Sequence, residues 1–75
     1  MVRSVTAATA ADVKKGWGDA LADARRDARR RQADVAQSAG LDQKTISNAE
    51  RGVGSLETFL AIAAELNVHL FGSVR

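Results

Sequence analysis

Residues 32–51 read QADVAQSAGLDQKTISNAER, and the spacing within them decides the fold. Val35, Ala36 and Ala39 fall on one face of a helix over 32–39. Gly40 then stands where a left-handed residue ends a helix. Leu41 is apolar, and Asp42 is a good N-cap for a second helix over 43–51. That helix turns Ile46 and Ala49 inward and leaves Gln43, Lys44, Thr45, Ser47 and Asn48 outward. Ala36 is small where the second helix crosses it, Gly40 permits the sharp reversal, and Ile46 locks the pair with Val35, Leu41 and Ala49.

Upstream, the periodicity predicts a helix over 19–30, with Trp17, Leu21, Ala24 and Ala28 on one face. Asp23 and Asp27 are spaced to pair with arginines three or four positions on. Gly16 and Gly18 bracket Trp17 and read as punctuation that lets the indole fold back over the core. Residues 1–11 are mostly small, so 1–16 reads as a flexible arm; the alternative is a short helix over 10–15 capped by Thr9. Downstream, Gly52, Val53 and Gly54 form a loop. Ser55 caps a helix over 56–66 whose stripe is Leu56, Phe59, Leu60, Ala63 and Leu66, and Asn67 suits its end. Residues 68–75 alternate with period two and read as a short strand. Its unpaired edge invites the same strand of a second copy.

Seventy-five residues make one small domain over 17–67 with short flanks, and 45% apolar content suffices for a core. Only Trp17, Phe59 and Phe71 are aromatic. Without cysteine there is no disulfide, thiol nucleophile or cysteine zinc site. His69 is the only histidine and reads as an ordinary strand residue. No Ser/His/Asp set, HExxH or phosphate-binding loop appears, which argues against an enzyme, a metal or a cofactor. No run approaches the ~20 apolar residues that span a bilayer, nor is there a leader peptide, so a cytoplasmic protein is expected. Net charge is only +2, but it is sided. Residues 1–40 carry eight basic against five acidic side chains, net +3; the remainder carries three against four, net −1.

Two helices joined in this way hold the second so that its outer face can enter a DNA major groove. The pattern resembles the lambda repressor/Cro superfamily of helix-turn-helix proteins, the XRE family. The carrying residues are Gln32, Ala36, Gly40, Leu41, Asp42, Ile46 and the closing Glu50-Arg51-Gly52, followed by SLETFLAIAAEL. The resemblance spans about residues 21–66 and implies an all-α, four- to five-helix domain, here with a short C-terminal β-strand for dimerisation.

It also implies roles. Gln32 would contact a phosphate and brace Gln43. Gln43, Lys44, Thr45, Ser47 and Asn48 would face the major groove, with Gln43 on an adenine edge and Lys44 on a guanine or a phosphate. Glu50 would pair with Arg25, and Arg51 would reach a phosphate or cap its helix. Where the family usually has an apolar residue and then a Ser or Thr cap, this chain has Arg30 and Arg31, so the cap is lost and the arginines are candidates for further phosphate contacts. The strand-like tail is similar to that of HipB-type antitoxins. The expectation is a homodimer on double-stranded DNA, a sequence-specific repressor of transcription. The alternatives are an antitoxin that also neutralises a toxin protein, or a small phage or prophage regulator.

Overall fold

In a computed structural model the chain is described over residues 2–70, with side chains over 12–70. Four helices follow in order: α1 (Val2–Asp27), α2 (Gln32–Ala39), α3 (Gln43–Glu50) and α4 (Leu56–Leu66). α1 packs on α3 and α4, and α2 packs on the same two helices. Between them Leu21, Val35, Ala36, Ile46, Ala49, Phe59, Ile62, Ala63 and Leu70 form one buried cluster. Trp17 closes its edge, with its ring 5.7 Å from that of Phe59 and tilted by 61°, an edge-to-face pair. Among the described residues no helix is long and apolar enough to cross a membrane.

Every one of these helices ends in the same way. Arg29, Gly40, Gly52 and Asn67 have φ of 58°, 72°, 85° and 59°. The next amide in each case reaches back five residues: Arg30 to Arg25, Leu41 to Ala36, Val53 to Asn48 and Val68 to Ala63, at 2.8–3.0 Å. This closure satisfies carbonyls that a helix end leaves without partners. At Arg29 it is made without glycine, so α1 stops at Asp27 rather than at residue 30. Ala28, expected inward, is exposed, and Ala22 is buried instead.

The N-terminal part departs most from expectation. α1 runs unbroken through the region read as a flexible arm or a short helix over 10–15, and through Gly16 and Gly18. Gly18 is not punctuation. A Cβ there would lie 2.5 Å from the Ala49 carbonyl oxygen and 2.7 Å from that of Glu50, so the absent side chain is what lets α1 meet the end of α3. Gly52 is matched to α1 as well, since a Cβ on it would sit 2.9 Å from Lys15 Cα. Lys14 Nζ donates to the Gly54 carbonyl at 3.1 Å. The middle of α1 therefore grips the α3–α4 loop.

Two further expectations are corrected. The strand expected over 68–75 does not form at 68–70, where the chain turns and buries Leu70 in the core; positions 71–75 lie outside the described residues. On α4 the inward face is Phe59, Ile62 and Ala63, with Leu66 half-buried, while Leu56 and Leu60 are 46% and 41% exposed. The stripe expected from Leu56 misses Ile62, which is buried in the core.

The two glycines of α1 give opposite predictions. Gly16 has nothing within 4 Å of a would-be Cβ, so Gly16→Ala should gain roughly 0.5–1 kcal/mol of helix stability. Gly18→Ala should lose roughly 1–3 kcal/mol through overpacking. Thermal unfolding checks both: Tm rises for the first and falls for the second, by about 4–8 °C per kcal/mol.

Candidate nucleic-acid interface

α2 begins directly after Arg31, whose extended backbone (φ −85°, ψ 161°) sets the N-cap. Arginine cannot accept a hydrogen bond from the first-turn amides. Asp34 supplies half of a capping box by accepting from the Arg31 backbone N–H at 3.1 Å. The Arg31 guanidinium also donates to that carboxylate, at 3.3 and 3.4 Å. These bonds hold the Asp34 carboxyl below the usual carboxylate range. Asp42 occupies the N-cap position of α3 (φ −80°, ψ 150°), but its side chain makes no cap hydrogen bond. Neither N-cap side chain occupies the first-turn amides of its helix, and helix N-termini of this kind favour anions.

Beneath the two helices lies one ionic centre. The Arg25 guanidinium meets the Glu50 carboxylate side by side, through Nε at 2.6 Å and a second nitrogen at 3.2 Å. Its remaining nitrogen donates to the Arg30 carbonyl at 3.0 Å. Gln32 Nε2 donates to Glu50 Oε1 at 3.1 Å. The two charged side chains are only 14% and 9% exposed. Burial pushes the Glu50 carboxyl up, but the hydrogen bonds from Arg25 and Gln32 and the Arg25 charge outweigh it and leave the group below its ordinary value. The bond to Glu50 correspondingly raises Arg25. One carboxylate at the end of α3 thus ties together α1, the start of α2 and the link between them.

The pair expected from the resemblance between Glu50 and Arg25 is therefore present, and Gln32 is braced by Glu50. Six of the expected contact residues, Gln32, Gln43, Lys44, Ser47, Asn48 and Arg51, line one shallow groove of about 470 Å³. Gln43 and Lys44 are exposed, whereas Thr45, Ser47 and Asn48 are half-buried. Arg51 folds back on α3, donating to Ser47 Oγ at 3.2 Å and to Asn48 Oδ1.

The other expected arginines are engaged elsewhere. Arg30 donates to Ser38 Oγ at 2.9 Å and to Glu65 at 3.2 Å, a staple from the α1–α2 link to α4. Arg31 stays with Asp34 at the start of α2, its side chain 84% exposed.

Sequence reasoning did not single out Arg26. It lines a second cleft, of about 530 Å³, together with Gln32, Ser47 and Arg51. The signal was available. Arg26 follows Asp19, Ala22 and Asp23 at helical spacing, which puts the four on one face of α1. The groove and the cleft share Gln32, Ser47 and Arg51, so they form one polar surface; amide, hydroxyl and cationic donors converge in it, beside the carboxylates of Asp19, Asp23 and Glu50, with Arg26 paired to Asp23 at 3.4 Å. Such a surface suits phosphates and base edges.

A family model of helix-turn-helix domains matches residues 21–72. The chain belongs to the helix-turn-helix family, in its lambda repressor/Cro branch. It is a DNA-binding domain of the regulatory kind. Comparison with curated proteins and with solved structures returned no match.

The ionic centre makes a pH prediction for this helix-turn-helix domain. Glu50 has a lowered native pKa, so its contribution is complete above its unfolded value of about 4.3. It is lost as the pH falls through the native value. Urea unfolding of Glu50→Gln should show roughly 3 kcal/mol less stability at neutral pH, as for breaking a buried pair. The variant should also lack part of the wild-type loss in acid.

Proposed function

We propose that this protein binds a near-palindromic DNA operator sequence-specifically as a homodimer and represses transcription by occupying it. The observation that carries the reading is the groove in which Gln32, from the first turn of α2, meets Gln43, Lys44, Ser47, Asn48 and Arg51 of α3 and its cap. Gln43 and Lys44 sit in the exposed first turn of α3, the part of a recognition helix that contacts base edges. Gln43 suits adenine, which it can hold through two hydrogen bonds. Lys44 suits guanine or a phosphate. Gln32, with one amide hydrogen committed to Glu50, has the other for a phosphate oxygen.

A second copy is supported by the outer face of α4 and the loop before it. Val53, Leu56 and Leu60 are 56%, 46% and 41% exposed. Leucines one turn apart on an otherwise core-forming helix suit a helix face shared between two copies. Two symmetric domains would then set their α3 helices about 34 Å apart, one turn of DNA.

Selection of duplexes from a random pool tests this reading. An inverted repeat with half-sites about 10 bp apart is expected, and enrichment of unrepeated sequence, or none, contradicts it. On the selected duplex, Gln43→Ala should cost about 1–3 kcal/mol of discrimination at a single base pair. Lys44→Ala on a phosphate should weaken all sequences alike and lower the salt slope by about one. Light scattering of Leu56→Lys/Leu60→Lys should show a monomer where the parent is a dimer.

A further inference from the structure

The cleft beside the reading groove holds a charge pair to which the proposed contacts assign no role. Asp19, Asp23 and Arg26 line it from α1, and Gln32 and Arg51 line it from α2 and the end of α3. Its two arginines are held unequally. Arg51 is bonded to both Ser47 and Asn48. The Arg26 guanidinium has one partner among the described residues, Asp23 Oδ1 at 3.4 Å. The two side chains are 64% and 74% exposed, and an exposed ion pair of this kind is weak. A guanidinium with a single long bond also keeps donors for another anion. The Arg26 charge reaches the centre of the surface, since it helps to hold the Glu50 carboxyl below its ordinary value.

We propose that Arg26 is a phosphate-binding residue held in reserve by Asp23. In the free protein it bonds Asp23; on DNA it turns to a backbone phosphate beside Gln32 and leaves Asp23 to solvent. The inference rests on the reading that Gln32 and α3 face DNA. Gln32 lines both the groove and the cleft, so a strand with a phosphate on Gln32 passes beside the Arg26 wall. Opposite charge draws the guanidinium to that phosphate, and the phosphate repels the Asp23 carboxylate, so the weak pair exchanges one anion for another. Asp23 thereby lowers affinity for every sequence alike, because a phosphate contact carries no base information. It holds down above all the non-specific binding, which is electrostatic in origin.

Fluorescence anisotropy of a labelled duplex, titrated with the full-length chain at several salt concentrations, tests this on the selected duplex and on an unrelated one. Arg26→Gln should flatten the slope of log K against log salt by about 0.9, as for one lost phosphate contact, and on both duplexes. Asp23→Asn should tighten both by up to about fivefold, the full worth of an exposed pair. That gain should shrink when Arg26→Gln is already present. Both side chains are exposed, so the variants should keep the parent's circular dichroism. A slope unchanged by Arg26→Gln overturns the proposal. So does an equal gain from Asp23→Asn with and without Arg26, because Asp23 would then act by its own charge alone. Lys44→Ala in the same titration separates this inference from the reading beneath it. If Lys44→Ala weakens binding and Arg26→Gln does not, the Arg26 assignment falls and the groove reading stands; if neither weakens it, both fall.

Discussion

The Glu50 carboxylate is the point from which the rest of the arrangement follows. It accepts two nitrogens of Arg25 and one of Gln32, and Arg25 in turn holds the Arg30 carbonyl. Three helices and one link are thereby fixed by a single group at the C-terminal end of α3. Burying such a pair costs desolvation, and the cost is offset only because nearly every donor and acceptor is matched. The gain is orientation. Gln32 and the end of α3 are tied through Glu50, so the donors lining the groove keep a fixed spacing.

The second constraint is closeness of backbone. α1 can approach the end of α3 only because position 18 has no side chain, and the α3–α4 loop can lie against Lys15 only because position 52 has none. α1 is thus part of the scaffold that presents α3. The arginine-rich link divides its labour in the same spirit. Arg25 orients, Arg30 staples the link to Ser38 and Glu65, and Arg31 stands in for a missing cap by way of Asp34. Arg26 pairs with Asp23 on its own helix at 3.4 Å and lines the cleft beside Gln32. A positively charged run can therefore be mostly structural.

Where periodicity and punctuation agreed, the fold was legible in the sequence. α2 and α4 have the expected bounds, and α3 differs by one residue, because Gly40, Ser55 and Asn67 mark those ends by their own chemistry. α1 was not legible. Its end uses Arg29 in a conformation usually left to glycine, and its two internal glycines resemble breaks although one is a packing notch. On α4 the pattern was apolar on too many sides to say which leucines face inward. The convergence of Gln32 with the α3 side chains was implied by the family resemblance, although the bond that holds Gln32 goes to Glu50. The engagement of Arg30 with Glu65, 35 positions away, required the tertiary fold.

The central claim is that Glu50 and its partners hold α2 and α3 as one DNA-reading surface. Titration of the isotopically labelled protein with its selected duplex, followed by amide chemical shifts, tests this most directly. The account predicts that the largest changes fall on Gln32, on Gln43 through Arg51, and on Arg26. Changes centred on α4 or on residues 12–20, with α3 unmoved, would contradict it.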